Sequence, residues 1–312
     1  MKRLIIEIVI AILLAAVVVV TKPILFKGGM ASGNFGIEAL VDRGKVSHLF
    51  IGSSMFRNGM QANDVKSDDM YLIAYDGNQP YLIYKIVSYL LKKGVKIENL
   101  YCDMYAYAAV SKPSIFDERI FLDTDLSFQL DVLDEVKTYG KGNFSTYYDA
   151  FITSNMELMA TWPISYKLIN ARYDRGASLP SNERGQAAED LLASKVDASP
   201  SDLNERQVYY INEIIRLSRE NGINLCFIET PKYRNVTEEY DYPVIMEKYA
   251  ELLKGTNIIM DNNTYNKIQT HTEIIKYPFD DDNASNFFDL LHLSGIGRGL
   301  FSKNLHKLLG IS

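Results

Sequence analysis

The chain has 312 residues, 47% of them hydrophobic, and a formal net charge of −6 from 33 basic and 39 acidic side chains. That length builds one large domain or two small ones. An acidic balance without a basic stripe excludes a nucleic-acid binder, whose affinity rests on Lys and Arg neutralising phosphates, and two cysteines leave no disulfide framework.

Residues 1–27 stand apart from the rest. Lys2 and Arg3 precede a run over 4–20 that is apolar except for Glu7. At about 1.5 Å per residue such a run is near the lower limit for a spanning helix. No small-x-small cleavage site precedes Thr21, so an uncleaved signal anchor is expected, with Lys2 and Arg3 favouring a cytoplasmic N-terminus. The first 27 residues carry a net +3, which leaves about −9 on the remainder. Residues 28–44 are expected to be a linker, Gly-rich at its start.

An alternating pattern follows over 45–312. Strands are expected over 45–52 and 71–75, a helix over 80–93 with Leu82, Ile83, Ile86 and Leu90 on one side, and a third strand over 95–104. After residue 203 come a helix over 204–221, a strand over 223–228, a helix over 243–254, a strand over 257–260 and a closing helix over 295–309. Strands alternating with helices imply a parallel sheet covered on both faces. Residues 106–203 break the alternation and read as a helical insertion, either a lid over a site or a subdomain packed on the core. Cys102 and Cys226 lie in apolar strands and read as buried small hydrophobes. His48, inside the first strand, reads as a structural histidine. Asp280-Asp281-Asp282 reads as a solvated acidic loop, since no spaced ligand set accompanies it; no metal and no cofactor are expected.

Two short motifs carry chemistry. Gly52-Ser53-Ser54 ends the first strand, and Asp289-Leu290-Leu291-His292 precedes the last helix. A serine is a poor nucleophile until a base takes its proton. His292 can be that base, with Asp289 three residues earlier to orient it, on a turn of helix or in a tight loop. In parallel sheets ligands sit at the carboxyl ends of the strands. Ser54 lies at such an end, and Asp76-Gly77-Asn78 lies at another.

This arrangement resembles the SGNH (GDSL-like) hydrolase superfamily, over roughly residues 45–105 and 205–310. Gly52-Ser53-Ser54 looks like the family's first block, with Ser53 where Asp is usual, and Asp289 to His292 looks like its last. The resemblance implies a flavodoxin-like three-layer α/β/α fold, Ser54 as nucleophile, His292 as base and Asp289 as orienting acid. It also implies an oxyanion hole from the N–H groups of Ser54 and Gly77. The family's Gly-x-Asn-Asp block is missing, and Asn78 is the candidate for its donor.

The anchor, Met55-Phe56-Arg57 after the serines and a strand ending in Glu229-Thr230-Pro231 are similar to a membrane-anchored branch. That branch includes the D-alanyl-lipoteichoic-acid assembly protein and SGNH proteins of surface-glycan acylation. It implies a single-pass protein of a Gram-positive cell membrane with its domain outside. The expected activity is transfer or hydrolysis of an acyl group on a surface polysaccharide or teichoic acid through an acyl-Ser54 intermediate, beside a polytopic membrane O-acyltransferase. The alternative is a non-catalytic assembly partner of such an acyltransferase that retains the fold.

Overall fold

The computed structural model describes residues 37–60, 70–121, 124–140, 202–239 and 241–311, with six further positions in the N-terminal apolar run. The anchor expected over 1–27 lies outside the described residues but for those six, as does the stretch 141–201. Among the described residues no helix is long and apolar enough to cross a membrane.

The first element is helix α1 (Ile37–Arg43), which buries Ile37 and Leu40. The linker expected over 28–44 therefore ends earlier: an Ile-x-x-Leu-Val spacing gives one apolar face that docks beside the sheet. Strand β1 (Lys45–Gly52) is exposed at its start and fully buried over its last four residues. Helix α2 (Ser54–Gly59) follows at once, then β2 (Met70–Ala74), helix α3 (Pro80–Lys92), β3 (Lys96–Asp103) and the short helix α4 (Ala106–Val110). Helices α5 (Leu126–Tyr139) and α6 (Glu205–Glu220) lead to β4 (Asn224–Ile228). Helices α7 (Arg234–Glu239) and α8 (Tyr242–Leu252), strand β5 (Asn257–Asp261), the single-turn helix α9 (Asn262–Tyr265), strand β6 (Ile275–Tyr277) and helix α10 (Gly295–Leu309) complete the chain.

The six strands form one sheet in the order β2-β1-β3-β4-β5-β6, and every pairing is parallel. The strands read as continuous apolar runs because helices cover both faces of a parallel sheet. Parallel crossovers are right-handed, so the step from β1 out to β2 and the return from β2 to β3 carry α2 and α3 on opposite faces. Helix α3 packs against α1, α5 and α6, and α2 packs against α10. Pro80 opens α3, where the missing N–H costs nothing. Its Ile86 and Leu90 are fully buried, each burial contributing roughly 1.5–3 kcal/mol.

The part of the insertion that is described is helical. Asp125 caps α5 by accepting from Phe128 N at 2.9 Å. Arg206, at the start of α6, donates to both oxygens of Glu135 at 2.6 and 2.9 Å and stacks on Tyr139 at the end of α5. Asn204 N donates to the Ala109 carbonyl at 3.0 Å. Asn204 thus sits beside α4, at the carboxyl edge of the sheet.

Candidate active site

Because all six strands run the same way, their carboxyl ends share one edge. Five of the ends deliver a polar group there: Ser53 and Ser54 after β1, Asp76 to Asn78 after β2, Asp103 in β3, Glu229 after β4 and Asp261 in β5.

Ser54 is the first residue of α2, and Ser53 is its N-cap, with extended backbone and a side chain that accepts from Met55 N at 3.1 Å. Gly52 precedes them because nothing larger fits: a Cβ there would lie 2.4 Å from Asp103 Cβ. That closeness lets Asp103 Oδ2 accept from both Ser53 N at 3.1 Å and Ser53 Oγ at 2.5 Å. Ser54 itself is partly exposed.

The Asp289–His292 segment is a tight loop, not a helix. Phe287 and Leu293 form an antiparallel bridge, and Phe288 N donates to the His292 carbonyl at 2.8 Å. Asp289 Oδ1 accepts from Leu291 N and His292 N, both at 2.8 Å, so the side chain closes its own turn. His292 Nδ1 lies 2.8 Å from Asp289 Oδ2, and His292 Nε2 lies 2.8 Å from Ser54 Oγ. Burial would raise the Asp289 carboxyl, but His292 and the two backbone N–H groups hold it below the ordinary carboxylate value. With Asp289 ionised, Nδ1 carries the proton and Nε2 presents its lone pair to the serine hydroxyl. The two motifs, 238 residues apart from Ser54 to His292, therefore form one hydrogen-bonded chain.

The 76–78 turn is tied to the same place. Gly52 O accepts from Tyr75 N at 3.1 Å and from Asn78 Nδ2 at 3.0 Å. Arg57, one turn into α2, pairs with Asp76 at 2.5 Å. Gly77 has φ +61°, a left-handed value suited to glycine, and a Cβ there would strike the Phe116 ring at 2.6 Å. The structure thus brings Ser54, Gly77, Asn78, Asp289 and His292 to one edge, and it engages the Asn78 amide with the β1 carbonyl.

Asp103 belongs to no motif in the sequence, and its one signal is an acid closing an apolar central strand. Among the other residues, His48 Nδ1 lies 3.0 Å from Tyr101 OH, which suits a structural role. Cys102 and Cys226 are buried and free. The acidic loop is only partly solvated: Asp280 and Asp282 are exposed, whereas Asp281 is buried and its carbonyl accepts from Arg234 N.

No family model matches the sequence, and no curated protein matches it at a significant level. A cavity of about 690 Å³ opens at the opposite edge, between Arg219, Asn224, Lys254 and Asn257. Ser218 and His271 also line it, but no hydrogen bond joins a lining hydroxyl to His271 among the described residues, whereas Ser54 and His292 are bonded at the carboxyl edge, which is the better candidate.

Proposed function

We propose that this chain is a serine acyl-transfer enzyme of the SGNH type. One observation carries the proposal: Ser54 Oγ, His292 Nε2, His292 Nδ1 and Asp289 Oδ2 stand in line with 2.8 Å at each hydrogen bond. A hydroxyl, a neutral imidazole and an ionised carboxylate in that order are the parts needed to activate a serine. The 2-1-3-4-5-6 strand order, with Ser54 after the first strand and His292 before the last helix, supports the family assignment.

Ser54 Oγ attacks the carbonyl carbon of an ester and passes its proton to His292 Nε2. The carbonyl oxygen becomes an oxyanion. The N–H of Ser54, in the first turn of α2 where no helical partner exists, and the N–H of Gly77 donate to it. As the intermediate collapses, the leaving alkoxide takes the proton from His292, leaving acyl-Ser54. His292 then removes a proton from a hydroxyl of a surface polysaccharide or teichoic acid, or from water, that oxygen adds to the acyl carbon, and as Ser54 Oγ leaves it takes the proton back from His292. Asp289 remains ionised throughout and orients the imidazole. The placement outside the membrane and the polytopic acyltransferase partner belong to the same proposal, and they rest on the apolar run over 4–20 and on the motifs.

The test uses the full chain with p-nitrophenyl acetate, wild type beside Ser54→Ala. We expect nitrophenol release and an acetyl adduct in the intact mass of wild type, and neither in the variant. A wild type that shows neither would sink the enzymatic reading in favour of a non-catalytic assembly partner.

A further inference from the structure

The turn after β2 has hydrogen bonds that single out one of its donors. Residues 75–78 form a β-turn closed by Asn78 N, which donates to the Tyr75 carbonyl at 3.1 Å, with Gly77 at the third position and φ +61°. Tyr75 N donates to the Gly52 carbonyl at 3.1 Å, and Asp76 N donates to Asp117 Oδ2 at 2.9 Å. The N–H of Gly77 alone in this turn has no partner among the described residues. Peptide units are planar, so the chain turns only between them. The unit before the one that carries Gly77 N is pinned by Asp117 and the unit after it by the Tyr75 carbonyl. The middle unit is thereby held with its N–H unspent.

Asp117 reaches this turn from a strap, residues 112–117, that follows α4 and lies in the segment where the strand–helix alternation breaks. The strap is bound to the start of α3, which continues the same turn. Buried Gln79 accepts from Ser114 N at 2.9 Å and donates through Nε2 to the Lys112 carbonyl at 3.2 Å, and buried Tyr81 donates to the Ser114 carbonyl at 2.9 Å. Breaking any of these would leave a buried polar group unpaired, which fixes the strap in place. Asp117 is buried as well. Phe116, just before it, lies against Gly77, where an added Cβ would come within 2.6 Å of its ring, although 63% of Phe116 stays exposed. On its other side the turn meets the nucleophile's helix, through the pair of Arg57 in α2 with Asp76. The strap and α2 therefore hold the turn between them.

We propose, resting on the acyl-transfer reading, that Asp117 is a positioning residue of the oxyanion hole: by accepting from Asp76 N, with Phe116 packed on Gly77, it fixes the peptide whose N–H receives the developing oxyanion. Asp117 touches no reacting atom and acts through the turn. A donor aimed in advance at developing charge stabilises the transition state more than the bound ester, so its misplacement lowers kcat more than it raises KM.

The experiment measures kcat and KM separately for p-nitrophenyl acetate, and the rate of Ser54 labelling by a fluorophosphonate, in the full chain. It compares wild type, Asp117→Ala, Asp117→Asn and Phe116→Ala, with thermal unfolding of each. Asp117→Ala is expected to lose roughly 10- to 100-fold in kcat with KM nearly unchanged, and to label more slowly by a similar factor. Asp117→Asn keeps a side-chain oxygen that can accept from Asp76 N, so it should recover most of that loss. Phe116→Ala should lose less than Asp117→Ala, again in kcat. A folded Asp117→Ala with wild-type kcat overturns the inference, as does a loss that falls on KM alone or one that Asp117→Asn shares in full. Should Asp117→Ala not fold, a folded Phe116→Ala with wild-type kcat and labelling overturns it, and one slowed in kcat supports it. Wild type that neither turns over nor labels at Ser54 sinks the acyl-transfer reading together with this one; wild type that labels beside an unaffected Asp117→Ala sinks this one alone.

Discussion

Two aspartates serve the two serines of one motif, and they live in opposite surroundings. Asp289 closes a turn at the protein surface, its side chain 43% exposed, and is held ionised by His292 and by two N–H groups of its own turn. Asp103 is buried at the end of the central strand β3, reaches the neighbouring serine and has its carboxyl pushed up. The difference teaches that the charge state of a carboxylate follows from its donors and its access to water, not from its residue type. Asp289 carries its stabilising partners within three residues. Asp103 depends on Ser53, which the fold delivers from the end of β1.

The sharpest way to break this comparison is at the base. His292→Gln removes the proton acceptor while Asp289 keeps its backbone donors, and kcat for p-nitrophenyl acetate should fall roughly 10⁴-fold or more with the melting temperature little changed. Asp289→Asn should follow, with a loss of roughly 10³- to 10⁴-fold, because an amide favours the wrong imidazole tautomer. If Asp289→Asn retained nearly full activity, the surface carboxylate would be no more than a turn-former.

On the buried side, Gly52→Ala drives a methyl group into Asp103 Cβ. Urea unfolding should show a loss of roughly 1–3 kcal/mol from overpacking, and activity should fall because Ser53 and Asp103 are forced apart. Asp261→Asn should give the smallest effect and the opposite sign. The Asp261 carboxyl is neutral in the fold up to about pH 8, pushed there by burial and by Glu229 and Asp281. Unfolding above its ordinary value releases a proton. The stability from this group is thus fully present below the unfolded value and is lost as the pH rises towards 8. An amide there should flatten that slope, with a gain of about 1–2 kcal/mol near pH 8 in chemical denaturation across pH. A gain at pH 4 instead would contradict the assignment.

Much of the frame was legible in the chain. The strands around Phe50, Tyr101 and Phe227 and the helices around Ile86 and Ile214 announce themselves through local spacing, and their observed ends fall within one or two residues of expectation. Short elements were not legible. Helix α1 follows a Gly-rich stretch, α2 spans six residues, and β6 spans three at the edge of the sheet. Segments that short carry too little periodicity to be seen and are held by what they touch.

The sequence alone therefore determined the alternating α/β plan and the two motifs that bear serine, histidine and aspartate, since periodicity and turn chemistry act over a few residues. The tertiary structure decided the rest. It set the order of the strands, aligned Ser54 with His292 across 238 residues, and buried Asp103 behind them. Those facts depend on side chains meeting across the sheet and on the water excluded between them, and no local stretch of sequence encodes either.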